Sequence, residues 1–402
     1  MKKQSLPSGQ IAVYGFILSV ILGTFSCGHP AGEKEKTAVD TTGTTLCVGD
    51  YLTEAQAKEK LKEYAATYHT AAEWQARAQR IRENIIGGSE LDRIPEEEWN
   101  YPIREVYGAK HVFDDYTVVN IGLEVKPGYL ICGNLYLPDK VEGRVPAILN
   151  PHGHWFELKD YGRFRADMQY RCASFARMGA VAFCWDMFGT GEDRQHRHHD
   201  PKALKMQLYN SKRVLDYISS LPYVDTSRIA VTGASGGGTQ TFLLAAVDPR
   251  IAVSVPVVMV SAHFFGGCVC ESGMPIHKRN GFETDNVEIA ATVAPKPLLL
   301  VSDGDDWTKN VPEVEYPYIR HIYQLFGAEE NVENAHFPQE KHDYGFSKRK
   351  AVYPFLAKHL GLDLDAVTGD GGAITEEGVT ILDTTALKVF PDSAIVKDPA
   401  NR

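Results

Sequence analysis

The sequence predicts an α/β fold: a mostly parallel central sheet with helices on both faces, preceded by an N-terminal helix. Three observations predict it. Apolar runs typical of buried strands alternate with helix-compatible segments from residue 145 onward. The residues suited to chemistry follow the ends of those runs, where parallel sheets carry their active sites. The 402 residues, 44% of them hydrophobic, are enough to bury one large core and carry extensions.

Residues 1–27 are predicted to be a signal peptide of the lipoprotein type. A positively charged start precedes an apolar stretch at 11–25, and Cys27 follows as the expected lipidated residue. Thr24 stands where lipoprotein signals usually carry Leu, so an ordinary cleaved signal and an uncleaved anchor helix stay open. The polar segment 28–50 is predicted to be a flexible tether. We therefore expect an exported, membrane-anchored protein in the periplasm or at the cell surface.

The rest of the chain divides into a helical extension at 51–100, a main domain at 101–361 and a tail at 362–402. Thr53 is a plausible N-cap for one long helix to Ile86, which glycines then stop. The tail is either docked as edge strands or disordered. Strands are expected at 112–125 and 129–137 as a hairpin, then at 145–150, 180–185, 228–232, 251–260, 297–302 and 331–337; helices are expected at 164–178, 201–220, 239–246 and 312–326.

Gly233-Ala234-Ser235-Gly236-Gly237 has the pattern G-x-S-x-G between a predicted strand and a predicted helix. Such a turn holds the serine in a strained backbone conformation, and glycines on either side prevent collisions of side chains. Ser235 would then be an exposed nucleophile with the N–H of Gly236 beneath it. The alternative is a glycine-rich turn with an incidental serine.

An acid and a histidine follow the serine in that order. His342 lies in a loop after the strand 331–337, and an imidazole can take the proton of a serine hydroxyl. The strand 297–302 ends in an acidic cluster, where Asp306 is the preferred acid because a loop of a few residues lets its carboxylate turn back toward the histidine. The alternative acids are Asp305, the main competitor, Asp303, and Glu271 in the loop after an earlier strand.

Four segments carry a family resemblance: Asn150-Pro151-His152-Gly153-His154, the serine motif, Ala294-Pro295-Lys296-Pro297-Leu298-Leu299-Leu300 and His342-Asp343-Tyr344-Gly345. With them the chain from about 101 to 360 resembles the α/β-hydrolase superfamily, and more narrowly the bacterial carbohydrate esterases of the acetyl xylan esterase and pectin methylesterase kind, which are often exported lipoproteins. The resemblance implies that 101–361 is a catalytic domain that removes acetyl groups or uronate methyl esters from plant polysaccharides through a serine acyl-enzyme, without a cofactor. Both ester classes stay open.

The loop after strand 145–150 is predicted to complete the oxyanion hole. In α/β-hydrolases it supplies a second N–H donor, here that of His154 or Trp155, which would act together with Gly236. The loop 189–199 contains Arg194 and Arg197, and arginine suits planar carboxylates such as a uronate. The possible substrate contacts are His152, Arg194, Arg197 and Trp307.

Several function classes are excluded or disfavoured. A formal net charge of −10 argues against nucleic acid as a partner. Cys268 and Cys270 have no second Cys or His pair at ligand spacing, so no metal site is predicted. The alternatives to an esterase are a prolyl-oligopeptidase-like or dienelactone-hydrolase-like hydrolase, and a non-catalytic binding protein with the same fold.

Overall fold

The computed structural model of the protein describes residues 45–155 and 161–393. The predicted signal peptide, its Cys27 and most of the predicted tether lie outside the described residues. Across these two ranges, no helix combines the length and the apolar character needed to cross a membrane.

A nine-stranded mixed sheet forms the centre of the described protein. Its strands are β1 (Arg104–Val112), β2 (Tyr116–Lys126), β3 (Tyr129–Pro138), β4 (Val145–Pro151), β5 (Val181–Trp185), β6 (Val224–Ala234), β7 (Ile251–Val257), β10 (Leu298–Asp303) and β11 (Val332–Phe337), and a separate short hairpin contains β8 (Lys278–Arg279) and β9 (Phe282–Glu283). The order across the sheet is β1-β2-β3-β5-β4-β6-β7-β10-β11. Pairing is antiparallel from β1 to β5 and parallel from β5 to β11.

Helices cover both faces of this sheet. The helices are α1 (Glu54–Ala65), α2 (Ala71–Gly88), α3 (Glu96–Trp99), α4 (Ala166–Arg177), α5 (Ala203–Ser220), α6 (Gly236–Val247), α7 (Val269–Ser272), α8 (Asn286–Ala291), α9 (Glu315–Leu325) and α10 (Phe346–Leu360). One core cluster joins the sheet to α1, α2, α5, α6, α8 and α9, and a second joins the opposite face to α4 and α10. The predicted fold class, a mostly parallel sheet between helical layers, is confirmed.

The N-terminal helical segment differs from the single helix expected at 53–86. The structure has two helices, because a second capping box interrupts the first. Thr70 accepts a hydrogen bond from the backbone N–H of Glu73, and the Glu73 carboxylate accepts one from the N–H of Thr70. Between the helices, Tyr68 is fully buried with its ring against Trp74. The break therefore adds a core contact that a straight helix would not make.

The strands expected in the main domain are all present, most with bounds shifted by a few residues at one end or the other. The hairpin of β2 and β3 closes where expected, with Lys126 paired to Tyr129 and Gly128 at φ +74°. A further strand, β1, extends the sheet beyond β2, and its largely exposed side chains give it little apolar pattern to recognise.

The segment after α10 packs on the domain without adding a strand to the sheet in the described part of the tail. Leu387 and Val389 are buried, and the Leu387 carbonyl accepts hydrogen bonds from Asn134 and Arg163. Glu192 accepts hydrogen bonds from the backbone of Val389 and Phe390. Because these contacts are polar, the pattern of hydrophobic residues in the sequence does not predict them.

Candidate active site

Ser235 lies on a sharp turn between β6 and α6. Its backbone has φ 57° and ψ −126°, a conformation that costs free energy for any residue with a side chain. A Cβ atom on Gly233 or on Gly237 would come within 2.4 Å of the Pro151 carbonyl oxygen. Only glycine fits at these two positions, which explains why glycine stands at both ends of the G-x-S-x-G motif. The strained turn leaves Ser235 at the carboxyl end of the sheet, 9% exposed.

His342 and Asp306 come together beside this edge of the sheet. The His342 Nδ1 lies 2.6 Å from Asp306 Oδ2, while Asp306 Oδ1 accepts a hydrogen bond of 2.6 Å from the N–H of Thr308. The Asp306 side chain is 3% exposed and that of His342 is 25% exposed. The carboxylate is thus held in place by the turn after β10, while the imidazole stays accessible.

Two tryptophans flank the His342 ring. The ring centroids of Trp155 and His342 lie 5.8 Å apart in a stacked arrangement, and those of Trp307 and His342 lie 4.7 Å apart. Trp307 in turn stacks on Phe264 at 3.9 Å. Trp307 therefore supports the histidine, and its indole ring is largely committed to that packing.

The other three carboxylates considered from the sequence have different surroundings. Asp303 is buried and lies 3.2 Å from the Lys348 ammonium. Burial and the neighbouring Asp306 raise the pKa of Asp303 to about 6, against the opposing effect of Lys348. Asp305 is exposed. Glu271 accepts a hydrogen bond from the N–H of Cys268, and among these carboxylates Asp306 is the one that contacts His342.

The loop after β4 passes directly over Ser235. A Cβ atom on Gly153 would lie 2.8 Å from Ser235 Cβ, 2.6 Å from the Ala234 carbonyl oxygen and 2.4 Å from the Trp155 ring. This close approach brings the loop backbone to Ser235. The N–H groups of His154 and Trp155, with that of Gly236, remain the predicted oxyanion donors.

The His152 ring supports the loop from within. Its Nε2 accepts a hydrogen bond of 3.0 Å from the N–H of Met187, and the residue is 3% exposed. Burial lowers the pKa of His152 to about 3, so the imidazole is neutral at physiological pH. His152 was a predicted substrate contact, but its side chain has little exposed surface with which to reach a substrate.

His154 belongs to a cluster that the sequence analysis did not anticipate. The cluster contains His154, His198, Cys268 and Cys270, whose side-chain donor atoms all lie within 4.8 Å of one another. The expectation of no metal-ligating set around the two cysteines rested on their sequence neighbours. In the fold, the loops after β4 and β5 bring one histidine each to the two cysteines.

This cluster lies against the serine turn. A Cβ atom on Gly236 would come within 2.5 Å of the His154 ring, so that ring packs directly on the first residue of α6. His198 is fully buried and comes from the loop that was considered for substrate binding. In the same loop, Arg194 and Arg197 are exposed. One loop therefore contributes a buried histidine to the cluster and cationic side chains to the surface.

A small cavity beside the serine turn adds an arginine that no motif indicated. Trp155, Arg165, Ala234 and Tyr344 are among the residues that line it. The Arg165 guanidinium lies 5.2 Å from the centre of the Trp155 ring, and its Nε is 2.8 Å from Asp167. Arg165 precedes α4 in a segment whose sequence shows only helix periodicity.

Comparisons with known proteins find similarity to carbohydrate esterases. A family model described as acetyl xylan esterase (AXE1) matches residues 116–266. The solved structure of Methylesterase BT1017 is 39% identical, with a TM-score of 0.78, and the match covers 85% of this chain and 74% of that one.

Two more distant relatives share parts of the chain. 4-O-methyl-glucuronoyl methylesterase 1 of Wolfiporia cocos (strain MD-104) is 24% identical over 231 residues, which are 47% of this chain and 52% of that protein. The chain thus spans about half the length of the curated relatives that it matches. A CE15 glucuronoyl esterase from Teredinibacter turnerae T7901 has a TM-score of 0.53 at 16% identity, covering 72% of this chain and 86% of that one, which is a likeness of fold.

Proposed function

The chain belongs to the α/β-hydrolase carbohydrate esterases, the family of the methylesterase that it matches over most of its length, and we propose that it hydrolyses methyl esters of uronates in plant cell-wall polysaccharide. The observation that carries the proposal is the contact of 2.6 Å between His342 and Asp306, at the same edge of the sheet as a serine on a strained strand-to-helix turn. That arrangement is the machinery of acyl transfer.

In the proposed mechanism Ser235 is the nucleophile. Its Oγ attacks the ester carbonyl carbon while His342 takes the hydroxyl proton, and Asp306 stabilises the imidazolium that forms. The N–H of Gly236 and a loop N–H, that of His154 or Trp155, stabilise the negative oxygen of the tetrahedral intermediate. His342 then gives its proton to the methoxy oxygen as the bond to the carbonyl carbon breaks, and methanol leaves. Water, activated by the same imidazole, hydrolyses the acyl-enzyme, releasing the free uronate and restoring the serine.

The methyl ester is preferred over the acetyl ester for two reasons. The relative with 39% identity is named a methylesterase, and a second relative is named for a glucuronoyl methyl ester. A substrate with free uronates is anionic, so an enzyme with a net charge of −10 needs cations near its site. Arg194 and Arg197 are exposed in a loop tied to the site through His198, and Arg165 lies beside Trp155.

A hydrolysis panel tests the leaving group. The purified enzyme is given methyl-esterified pectic oligosaccharides, methyl-esterified glucuronoxylan fragments and acetylated xylan, and methanol and acetate are measured separately. We expect methanol from at least one of the uronate methyl esters and no acetate, with Ser235→Ala as the inactive control. Release of acetate without methanol would show that the enzyme is a deacetylase instead. Folded enzyme that released neither product would refute the esterase proposal.

We also propose that the protein is exported and anchored by lipid at Cys27. Support comes from the charged start, the apolar stretch and the cysteine that follows it. Expression in a bacterial host with radiolabelled palmitate tests this proposal: label should enter the native chain and be absent from Cys27→Ala. Label in neither form would refute the lipid anchor.

A further inference from the structure

Four metal-binding side chains converge behind the oxyanion loop. The His154 Nε2 lies 3.0 Å from His198 Nε2 and 3.2 Å from Cys270 Sγ, and Cys268 Sγ lies 3.2 Å from His198 Nε2. We propose that His154, His198, Cys268 and Cys270 bind one Zn²⁺ ion in a closed tetrahedral site. Two thiolates and two imidazoles are a donor set that favours zinc among the common divalent ions.

The separations of the donor atoms fit a single ion. Zinc–nitrogen bonds of about 2.0–2.1 Å and zinc–sulfur bonds of about 2.3 Å at tetrahedral angles place nitrogen and sulfur ligands about 3.3–3.8 Å apart. The three separations of 3.0–3.2 Å are a few tenths of an ångström shorter than that, and the full set lies within 4.8 Å. Side-chain adjustments that bring all the separations to about 3.3–3.8 Å complete the site.

The contacts behind the imidazoles orient their Nε2 atoms for coordination. The Nδ1 of His198 lies 2.6 Å from the Phe188 carbonyl oxygen, so it must donate its proton there. With that proton on Nδ1, the Nε2 of His198 can present a lone pair, and it faces His154 Nε2 and the Cys268 sulfur. A cation between these atoms satisfies that lone pair.

Carboxylate and amide groups stand behind the cluster, as is usual around bound zinc. The Glu271 carboxylate lies 3.9 Å from His154 Nδ1 and accepts a hydrogen bond of 2.9 Å from the N–H of Cys268. The Gln207 side-chain oxygen accepts a hydrogen bond of 2.8 Å from the N–H of Phe188, the residue whose carbonyl oxygen contacts His198.

The second group of possible ligands in the described residues already has a cation. Cys132, Asp186 and Glu192 lie close together, but the Arg163 guanidinium is 2.8 Å from Asp186 and also pairs with Glu192. The His154 cluster instead consists of two histidines and two cysteines whose donor atoms face one another. The donor chemistry therefore separates the two groups.

A zinc ion here would act on structure and not on the ester. Four protein ligands leave no open position for water or substrate, which is the mark of a structural site. The ion would join three loops: the one that carries Gly153, the one that carries Arg194 and Arg197, and the one that begins α7. Since the His154 ring packs on Gly236, it would also fix one wall of the oxyanion hole.

Metal analysis of the purified protein tests the proposal. The enzyme is prepared in reducing buffer without an added metal-affinity tag, dialysed against metal-free buffer, and analysed by inductively coupled plasma mass spectrometry. We expect about one equivalent of zinc per chain, and loss of nearly all of it in Cys268→Ser/Cys270→Ser. Cys47→Ser, which removes another buried thiol, is the control and should retain zinc.

Cobalt binding identifies the ligands from the spectrum of the wild-type protein, so this test does not depend on how well a variant folds. The wild-type protein is stripped with a strong chelator and titrated with Co²⁺ alone, which should give thiolate charge-transfer absorption and the intense visible bands of a tetrahedral site. Glu271→Gln should weaken the affinity for Zn²⁺ by about 10–100-fold. Re-added zinc should raise the Tm of the stripped wild type but not that of the double variant.

The proposal fails on any of three results. Stripped wild-type protein that binds neither Zn²⁺ nor Co²⁺ would overturn it, as would metal content unchanged in the double variant. A disulfide between Cys268 and Cys270 that persists in reducing buffer would do the same. None of these outcomes bears on the esterase proposal, which is judged from methanol release.

Discussion

Successive residues of one loop have two unlike surroundings. Trp155 stacks on His342, whose side chain is 25% exposed and whose partner Asp306 is held by a turn. His154 contacts a buried histidine and a buried cysteine. A group that transfers protons benefits from access to water and substrate, whereas groups that only hold a shape benefit from being closed off. The loop therefore separates a reactive side from a supporting side within two residues.

The largest expected effect is on the reactive side. Ser235→Ala should lower kcat on the order of 10⁶-fold and leave the Tm close to that of the native enzyme, because the small side chain fits the same turn. His342→Ala should be comparable, since both residues serve one proton transfer. Kinetics with a methyl ester and thermal melts check this. A double variant much slower than either single variant would show that the two residues do not act together.

Asp306→Asn is expected to come next, with a loss of about 10⁴-fold in kcat. The amide preserves size but favours the wrong histidine tautomer and removes the charge that stabilises the imidazolium. Asp305→Asn is the matched control: it is exposed one residue away and should remain close to native activity. If Asp305→Asn or Glu271→Gln proves the crippling change at intact metal content, the acid has been assigned wrongly.

Gly153→Ala tests the loop that joins the two sides. The new methyl group would meet the Ala234 carbonyl oxygen at 2.6 Å, so the loop backbone must shift away from Ser235. We expect kcat to fall about 10²–10³-fold through misplacement of an oxyanion donor, with KM less affected. Gly371→Ala, where no atom lies within 4 Å and the backbone is not left-handed, controls for the substitution itself. A native kcat in Gly153→Ala would show that this loop does not supply an oxyanion donor.

The smallest expected effect concerns the exposed arginines. Arg194→Gln/Arg197→Gln should raise KM for methyl-esterified pectic oligosaccharides about two- to tenfold, and salt should then inhibit less, because exposed ion pairs are weak and screened. Activity on 4-nitrophenyl acetate should stay near native, since that ester is neutral. An equal loss of activity on both esters would indicate that the substitutions damage the active site, and not that they remove a contact with an anionic substrate.

The two sides of the loop also differed in how far the sequence revealed them. Ser235, Asp306 and His342 each follow a recognisable strand, and parallel strands bring their ends to one edge of the sheet, so their order predicted that they share that edge. His154, His198 and the two cysteines lie in three separate loops whose approach depends on loop conformation. Sequence spacing carries no information on such an approach, and the same holds for Arg165 beside Trp155. The break between α1 and α2 was readable in Thr70 and Glu73, but helical periodicity on both sides concealed it.

The packing of the C-terminal segment also constrains the order in which the protein can mature. Glu192 and Val389 are 197 positions apart, yet the Glu192 carboxylate accepts a hydrogen bond from the N–H of Val389. Arg163 likewise donates a hydrogen bond to the Leu387 carbonyl oxygen. A chain still leaving the ribosome has made Arg163 and Glu192 long before the groups that complete their hydrogen bonds exist. The loop 189–199 therefore reaches its final form only after synthesis has passed residue 389, so the segment that carries Arg194 and Arg197 is among the last parts of the enzyme to mature.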